Sequence, residues 1–306
     1  MKRPDRVRPG TADYAAFLPD SLRTDLDVEP MNEFWSWRDC RVRLLRRPSR
    51  SAGTRVIVVH GAGAHSEALW PLAALLPESD FDLTAVDLPL YGDTAVPDVR
   101  SVRYEDWVQL LQDFVASEDD RRPLILLGAS IGGMLAYEIA ATTDHVDGVL
   151  ATCLLNPRDD QARSVMTRFG SIGCWVVPLL KLIPRALARR QVPISRIAPL
   201  AKMSRNPGLS HLCATDPRGG GGRVPLGFLA SFMSYRHAPP EKMSVPVTLA
   251  HPERAIWTPL EISRRLLERI AAPTDLVILR DSGHFPVEER GLRDLIGAVG
   301  RLARHD

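Results

Sequence analysis

Short apolar runs rich in β-branched residues alternate along this chain with segments of helical periodicity. The run Arg55–His60 (RVIVVH) has no polar face, which is typical of a strand buried on both sides of a parallel sheet. Similar runs are Leu83–Asp87, Leu124–Leu127, Val146–Cys153, Val245–Ala250 and Leu276–Leu279. Helical patterns between them are Leu69–Leu76, Trp107–Ala116, Ile131–Ala141 and Leu260–Ile270. This alternation predicts an α/β fold, with a parallel sheet covered by helices on both faces.

Two regions depart from the alternation. Residues 1–30 are rich in Pro, Asp and Arg and are predicted to form a loose N-terminal arm, after which Phe34–Arg46 reads as one or two strands. Residues 156–240 contain no convincing buried strand, but they have a glycine run and apolar helical patches at Ile172–Leu187 and Leu226–Phe232. We interpret 156–240 as a helical cap inserted between the core segments 1–155 and 241–306; the alternative is a second domain with its own role.

Composition excludes several classes of protein. A formal net charge of +2 gives no basic field for nucleic acid, and 45% hydrophobic with 25% charged residues is typical of a globular protein. The N-terminus lacks the apolar core of a signal peptide, and Ile172–Ile183 is too short for a membrane span and contains Lys181. Four cysteines without a C-x-x-C pair suggest buried thiols rather than a metal site or disulfide framework. We therefore expect a cytoplasmic enzyme.

A G-x-S-x-G motif joins the strand pattern Leu124–Leu127 to the helical pattern Ile131–Ala141, and Ser130 is its central residue. A sharp strand-to-helix turn requires small neighbours, which Gly128 and Gly132 supply. Such a turn raises the hydroxyl above the sheet at the N-terminus of a helix, where a developing negative charge is favoured. Ser130 is the candidate nucleophile; the alternative is a serine that simply caps a helix.

The loop His60–His65 (HGAGAH) follows the first buried strand. A tetrahedral intermediate needs two N–H donors directed at its oxyanion. We predict that the backbone N–H groups of Ala62, in this loop, and of Ile131, after the serine, form that oxyanion hole. The alternative is a Gly-rich loop without a catalytic role; the spacing of a dinucleotide site is absent.

His284 lies in the loop Asp281–Pro286 after the last predicted strand. A histidine on a tight loop at this end of the sheet can reach the serine and act as general base. The alternative is a packed or surface histidine. Four histidines that lie in no comparable motif are His145, His211, His237 and His251. No H-x-x-x-H pair suggests a metal site.

Taken together, these motifs resemble those of the α/β-hydrolase superfamily, in particular its capped esterases, lipases and C–C hydrolases. The HGAG loop, the GASIG turn, the turn Asp87–Gly92 and the final GHFPVEE carry the resemblance, which covers about residues 40–155 and 240–306. It implies a mostly parallel sheet of eight strands, no cofactor, and the chain order serine, acid, histidine.

The chain departs from this family at the acid. The stretch His251–Pro259 matches the place of a D-x-W-T-P pattern, but Ala255 occupies the carboxylate position. Glu253, two residues away, is a tentative replacement. A carboxylate after the preceding strand is another, represented by Asp159 and Asp160. The third reading is a chain impaired in catalysis, since loss of the acid in well-studied triads costs roughly four orders of magnitude in turnover.

Three functions follow from these residues. The first is hydrolysis of a carboxylic ester of a hydrophobic small molecule through an acyl-enzyme on Ser130, because an Asp in its place would have indicated dehalogenase or epoxide-hydrolase chemistry. The second is a binding module that holds a small apolar ligand with little or no turnover, which Ala255 favours. The third is hydrolysis of a C–C bond or a lactone by the same residues.

Overall fold

An eight-stranded sheet forms the centre of the computed structural model, which describes residues 8–23, 29–170 and 184–304. Its strands are Met31–Trp37 (β1), Cys40–Arg47 (β2), Thr54–Val59 (β3), Phe81–Val86 (β4), Leu124–Gly128 (β5), Gly148–Ala151 (β6), Val247–Pro252 (β9) and Thr274–Leu279 (β10). Two shorter strands, Gln191–Pro193 (β7) and Arg223–Pro225 (β8), pair with each other outside this sheet.

The strand order is β1-β2-β4-β3-β5-β6-β9-β10. The first two pairings, β1 with β2 and β2 with β4, are antiparallel, and all later ones are parallel. Every residue of β3 and of β5 is buried, as expected for strands covered on both faces. The prediction of a mostly parallel eight-stranded sheet is therefore confirmed.

Helices flank this sheet, and further helices occur in the segment between β6 and β9. Those outside that segment are Thr11–Ala15 (α1), Asp20–Arg23 (α2), Ser66–Ala73 (α3), Tyr104–Ser117 (α4), Ile131–Thr142 (α5), Leu260–Leu267 (α10) and Glu289–Leu302 (α11). Those within it are Asp160–Met166 (α6), Arg185–Ala188 (α7), Pro207–Thr215 (α8) and Leu226–Ser234 (α9). Single 3-10 turns occur at Ile194–Arg196, Leu200–Lys202 and Pro240–Lys242. The helices predicted between the strands of the core all form, with ends displaced by a few residues.

The N-terminal residues that the structure describes, 8–23, do not form the loose arm expected from their composition. Tyr14 and Leu18 are almost completely buried, and α1 packs against α3. The Tyr14 hydroxyl donates a hydrogen bond to Asp216 at 2.8 Å. Polar composition was misleading here because three apolar side chains, Tyr14, Ala15 and Leu18, are enough to attach a short helix to the core.

Residues 156–240, hereafter the insertion, contain the small ribbon of β7 and β8 that their sequence had not indicated. The predicted apolar patch Leu226–Phe232 is helical, within α9. Most of the other patch, Ile172–Leu187, falls in 171–183, outside the described residues. In the described parts of the chain, no helix combines the length and the apolar character that crossing a bilayer requires.

Candidate active site

Ser130 occupies a strained turn between β5 and α5. Its backbone has φ 55° and ψ −123°, a conformation that residues other than glycine rarely adopt and that is often found at functional sites. A side chain on Gly128 would place a Cβ 2.3 Å from the carbonyl oxygen of Gly132, and one on Gly132 would come equally close to that of Val59. Ser130 N–H is held by a 2.9 Å hydrogen bond to the Thr152 hydroxyl. The turn therefore requires both glycines of the motif.

The loop after β3 lies directly against this turn. A Cβ on Gly61 would be 2.8 Å from the Cβ of Ser130, so only glycine allows the approach. His60 holds the loop: its Nε2 accepts from the backbone N–H of Leu88 at 3.0 Å, which leaves Nδ1 to donate to the carbonyl of Gly61 at 2.8 Å. Burial lowers the pKa of His60 to about 4, so this histidine is neutral at pH 7.

His284 is buried in the loop after β10. Its Nδ1 lies 3.2 Å from the Thr258 hydroxyl, and its ring packs on Trp257 with centroids 4.7 Å apart. Its Nε2 is buried and has no hydrogen-bond partner among the described residues. Burial, together with the nearby His251, lowers the pKa of His284 to about 4. The imidazole is therefore neutral at pH 7, which is the form that a general base requires.

An apolar cavity brings most of the predicted site residues together. Its volume is about 40 Å³. It is lined by Ala62, Ser130, Ile131, Leu155, Met166, Ile194, Ile197, Ala198, Phe228, Leu229, Phe232, Met233, Trp257 and Thr258. None of these residues carries a charge. Ala62, Ser130 and Ile131 share this lining, and His284 lies behind the part of the wall formed by Trp257 and Thr258.

The thiol of Cys153, which lies just after β6, is a neighbour of the Ser130 hydroxyl. Burial raises the pKa of that thiol to about 12, and the nearby hydroxyl opposes the rise. Within the described chain, no hydrogen bond joins Ser130 to His284. The sequence did not indicate Cys153 as a neighbour of the serine, because the contact arises only when β5 and β6 pair.

The predicted acid, Glu253, is not in contact with His284. Its side chain is exposed, and its carboxylate accepts from the backbone N–H of Asp281 at 2.8 Å and lies 3.7 Å from the Arg254 guanidinium. Glu253 is close to Ala255 in sequence, but the backbone directs its side chain away from the imidazole. Nδ1 of His284 instead meets the neutral hydroxyl of Thr258.

The two aspartates after β6 are engaged elsewhere. Asp159 caps α6 by accepting from the backbone N–H groups of Gln161 and Ala162. Asp160 is exposed and pairs with Arg163 at 2.8 Å. Among the described residues, no carboxylate hydrogen bonds to His284. The same residues include no group of three or more His, Cys, Asp or Glu placed to hold a metal ion.

Thr258 is the functional candidate that sequence reasoning overlooked. It stands in the stretch Trp257-Thr258-Pro259, where the family pattern points to a carboxylate rather than to a hydroxyl. The available signal was the position itself: a polar residue that is followed by a proline and lies close to the expected acid. Its contact with His284 joins two loops that follow neighbouring strands, β9 and β10.

Comparison with known proteins agrees with this architecture. The model of the alpha/beta hydrolase family matches residues 56–298, and the chain belongs to that family. The eight-stranded, mostly parallel sheet described above agrees with this membership.

Solved structures of similar fold include two lipases. The monoacylglycerol lipase of Paleococcus ferrophilus has a TM-score of 0.67 and 23% identity, over 90% of this chain and all of that one. A soluble variant of the monoglyceride lipase of Saccharomyces cerevisiae has a TM-score of 0.68 and 13% identity, over 90% and 94%. At these identities the likeness concerns the fold. The uncharacterized protein YfhR of Salmonella typhimurium is 32% identical over 104 residues, and the match spans about a third of each chain.

Proposed function

We propose that this protein hydrolyses carboxylic esters of neutral, apolar small molecules through an acyl-enzyme on Ser130. The observation that carries the proposal is the strained backbone of Ser130 at the wall of an uncharged cavity, in contact with the loop that contains Ala62. Strain of this kind is retained where a side chain must stand in one particular direction. The ester-cleaving neighbours of the same fold support the same class of reaction.

In the proposed reaction, Ser130 Oγ attacks the ester carbonyl and its proton passes to Nε2 of His284. The negative charge moves to the carbonyl oxygen, where the N–H groups of Ala62 and Ile131 donate to it. Collapse of the intermediate releases the alcohol, which takes the proton from His284, and leaves the acyl group on Ser130. Water then attacks this acyl group with the same proton transfers and releases the acid. For the first step, the Ser130 hydroxyl must come within hydrogen-bonding distance of Nε2 of His284, an atom that has no partner among the described residues.

The insertion would act as the cap and select the substrate. It contributes apolar side chains to the cavity, among them Ile194, Phe228 and Phe232. A charged acyl chain would lose its hydration without gaining a partner there, which is strongly unfavourable. The volume of about 40 Å³ is well below that of an ordinary ligand pocket, so entry of a substrate requires the insertion to move outward.

The test combines covalent labelling with turnover. A fluorophosphonate probe and p-nitrophenyl esters of increasing acyl length are applied to the unmodified protein and to Ser130→Ala. We expect labelling and turnover in the unmodified protein and neither in Ser130→Ala. A p-nitrophenyl ester that bears a carboxylate on its acyl chain should be a poor substrate of the unmodified protein. Labelling that persists in Ser130→Ala would contradict the assignment of the nucleophile.

A second function is favoured by the contacts of His284. Its partner is a neutral hydroxyl, and among the described residues no hydrogen bond joins His284 to Ser130. This arrangement suits a protein that holds an apolar ligand without turnover. In that case apolar esters would raise the melting temperature of the protein without being cleaved. The labelling experiment separates the two functions.

A further inference from the structure

We propose that Thr258 positions the catalytic base, with its side-chain hydroxyl accepting the Nδ1 proton of His284 in the place where a carboxylate would otherwise act. This inference rests on the function proposed above. It assigns to Thr258 a task that is separate from lining the cavity, because its hydroxyl contacts the histidine and not the reacting atoms.

The position of Thr258 is fixed from two sides. The residue is 1% exposed, and its carbonyl oxygen accepts a hydrogen bond from Nε2 of His251 at 2.9 Å. The neighbouring Trp257 packs on the imidazole of His284 and donates its indole N–H to the carbonyl of Val165 at 2.8 Å. The hydroxyl is therefore presented to Nδ1 by a backbone and a neighbour that are both held in place.

The proton arrangement follows from the two ring nitrogens. A neutral imidazole carries one proton, and Nε2 can accept the serine proton only if that proton is on Nδ1. A proton on Nδ1 needs an acceptor, and the Thr258 hydroxyl oxygen at 3.2 Å is the hydrogen-bond partner that the structure gives this atom. The opposite tautomer would leave a buried Nε2–H without an acceptor, since Nε2 has no partner among the described residues.

A hydroxyl differs from a carboxylate in what it can supply. It fixes the orientation of the ring, but because it can both donate and accept it does not by itself select the tautomer. It also adds no negative charge to stabilise the imidazolium that forms when Ser130 attacks. With Thr258 as its partner, His284 would be correctly oriented as a base, but its protonated form would be only weakly stabilised. The expected enzyme binds its substrate normally and turns it over slowly.

Three variants separate this role from simple packing. Thr258→Val keeps the shape and removes the hydroxyl, Thr258→Ser keeps the hydroxyl and removes the methyl group, and Thr258→Ala removes both. We expect kcat for a p-nitrophenyl ester to fall roughly 10- to 100-fold in Thr258→Val and Thr258→Ala, with KM within about two-fold, because only the orientation of the base is lost. Thr258→Ser should retain kcat to within about three-fold. Thermal unfolding verifies that each variant is folded.

The outcomes distinguish this inference from the proposed function. If the unmodified protein turns over esters and Thr258→Val does so equally well, or better than Thr258→Ser, the positioning role is refuted and the function stands. Should Thr258→Val unfold, the comparison of Thr258→Ser with Thr258→Ala decides, and equal kcat values refute the role. If the unmodified protein neither labels nor turns over, the function and the positioning role both fall.

Discussion

Two buried histidines in this protein differ in their hydrogen-bond partner, which is a carboxylate for one and a neutral hydroxyl for the other. His65, at the start of α3, has its Nε2 2.8 Å from the Asp216 carboxylate, and both side chains are completely buried. His284, beside the cavity, has its Nδ1 3.2 Å from the hydroxyl of Thr258. The carboxylate–histidine pair expected at the active site is therefore found elsewhere, where it has a structural role.

The pair at Asp216 links three parts of the chain. His65 belongs to the core, Asp216 to the insertion, and Tyr14, whose hydroxyl also donates to this carboxylate, to the N-terminal segment. Burial alone would raise the pKa of Asp216, but the hydrogen bond and charge of His65, with donors from Arg218 and Tyr14, lower it below its ordinary value. Both oxygens of this buried carboxylate therefore have donors, which is the condition under which a buried polar group does not cost stability.

Breaking the buried pair should have the largest effect on the molecule. In Asp216→Ala, His65 and Tyr14 lose their acceptor in a site that water does not reach. We expect the free energy of unfolding to fall by about 2 to 6 kcal/mol, measured by urea denaturation, because each of the two buried donors left without an acceptor costs about 1 to 3 kcal/mol. Asp216→Asn, which keeps one acceptor oxygen, should lose less. A loss below about 1 kcal/mol in Asp216→Ala would mean that the pair does not hold the three segments together.

Supplying a carboxylate at the active site should have the next largest effect, which is an increase in the rate of ester turnover. Ala255 stands where the resemblance to the family places the acid, and the backbone beside it is tied to the loop of His284 by a 2.8 Å hydrogen bond from Arg254 N–H to the Ser282 carbonyl. In Ala255→Asp we expect kcat to rise by about two orders of magnitude, because the imidazolium gains a negative partner. Ala255→Asn is the matched control, since it adds similar bulk without the charge, and it should leave kcat nearly unchanged. An equal response of the two variants would exclude an electrostatic origin of the gain.

The presence or absence of a carboxylate beside His284 should also change the pH dependence of activity, so the unmodified protein and Ala255→Asp should differ. The pKa of His284 is lowered to about 4 by burial and by His251, so the base stays neutral and competent as the pH falls towards 5. We expect kcat/KM of the unmodified protein to be nearly constant between about pH 5 and 8. In Ala255→Asp the added charge should raise this pKa towards about 6.5, so activity at pH 5 should fall roughly 30-fold below its plateau. Rate profiles of the two proteins measure this, and parallel profiles would contradict it.

The contrast between the two histidines also indicates what could be predicted from sequence. The turn at Ser130 was predictable because strand, glycines and helix are consecutive in the chain, and the local requirement for small residues leaves few alternatives. The partner of His284 was not, because Thr258 and Glu253 are both near the expected position and only the path of the backbone decides which of them faces the ring.

Contacts between distant parts of the chain were beyond sequence reasoning for a related reason. Tyr14 and Asp216 are 202 positions apart, and no periodicity or motif connects them. Their contact depends on where the insertion lies against the core, which is a property of the folded chain. The polar composition of the N-terminal segment therefore did not indicate that the Tyr14 hydroxyl would be buried.

Removing the Tyr14 hydroxyl should have the smallest effect of these changes, and it should act on stability rather than on activity. In Tyr14→Phe the ring remains packed, and Asp216 still has His65 as a partner, so the carboxylate is not left without a donor. We expect a loss of about 1.5 to 3 kcal/mol in the free energy of unfolding, which is typical of one hydrogen bond to a charged group. Ester turnover should be unchanged, because this pair lies outside the lining of the cavity. A large fall in kcat with little change in stability would instead connect the N-terminal segment to the active site.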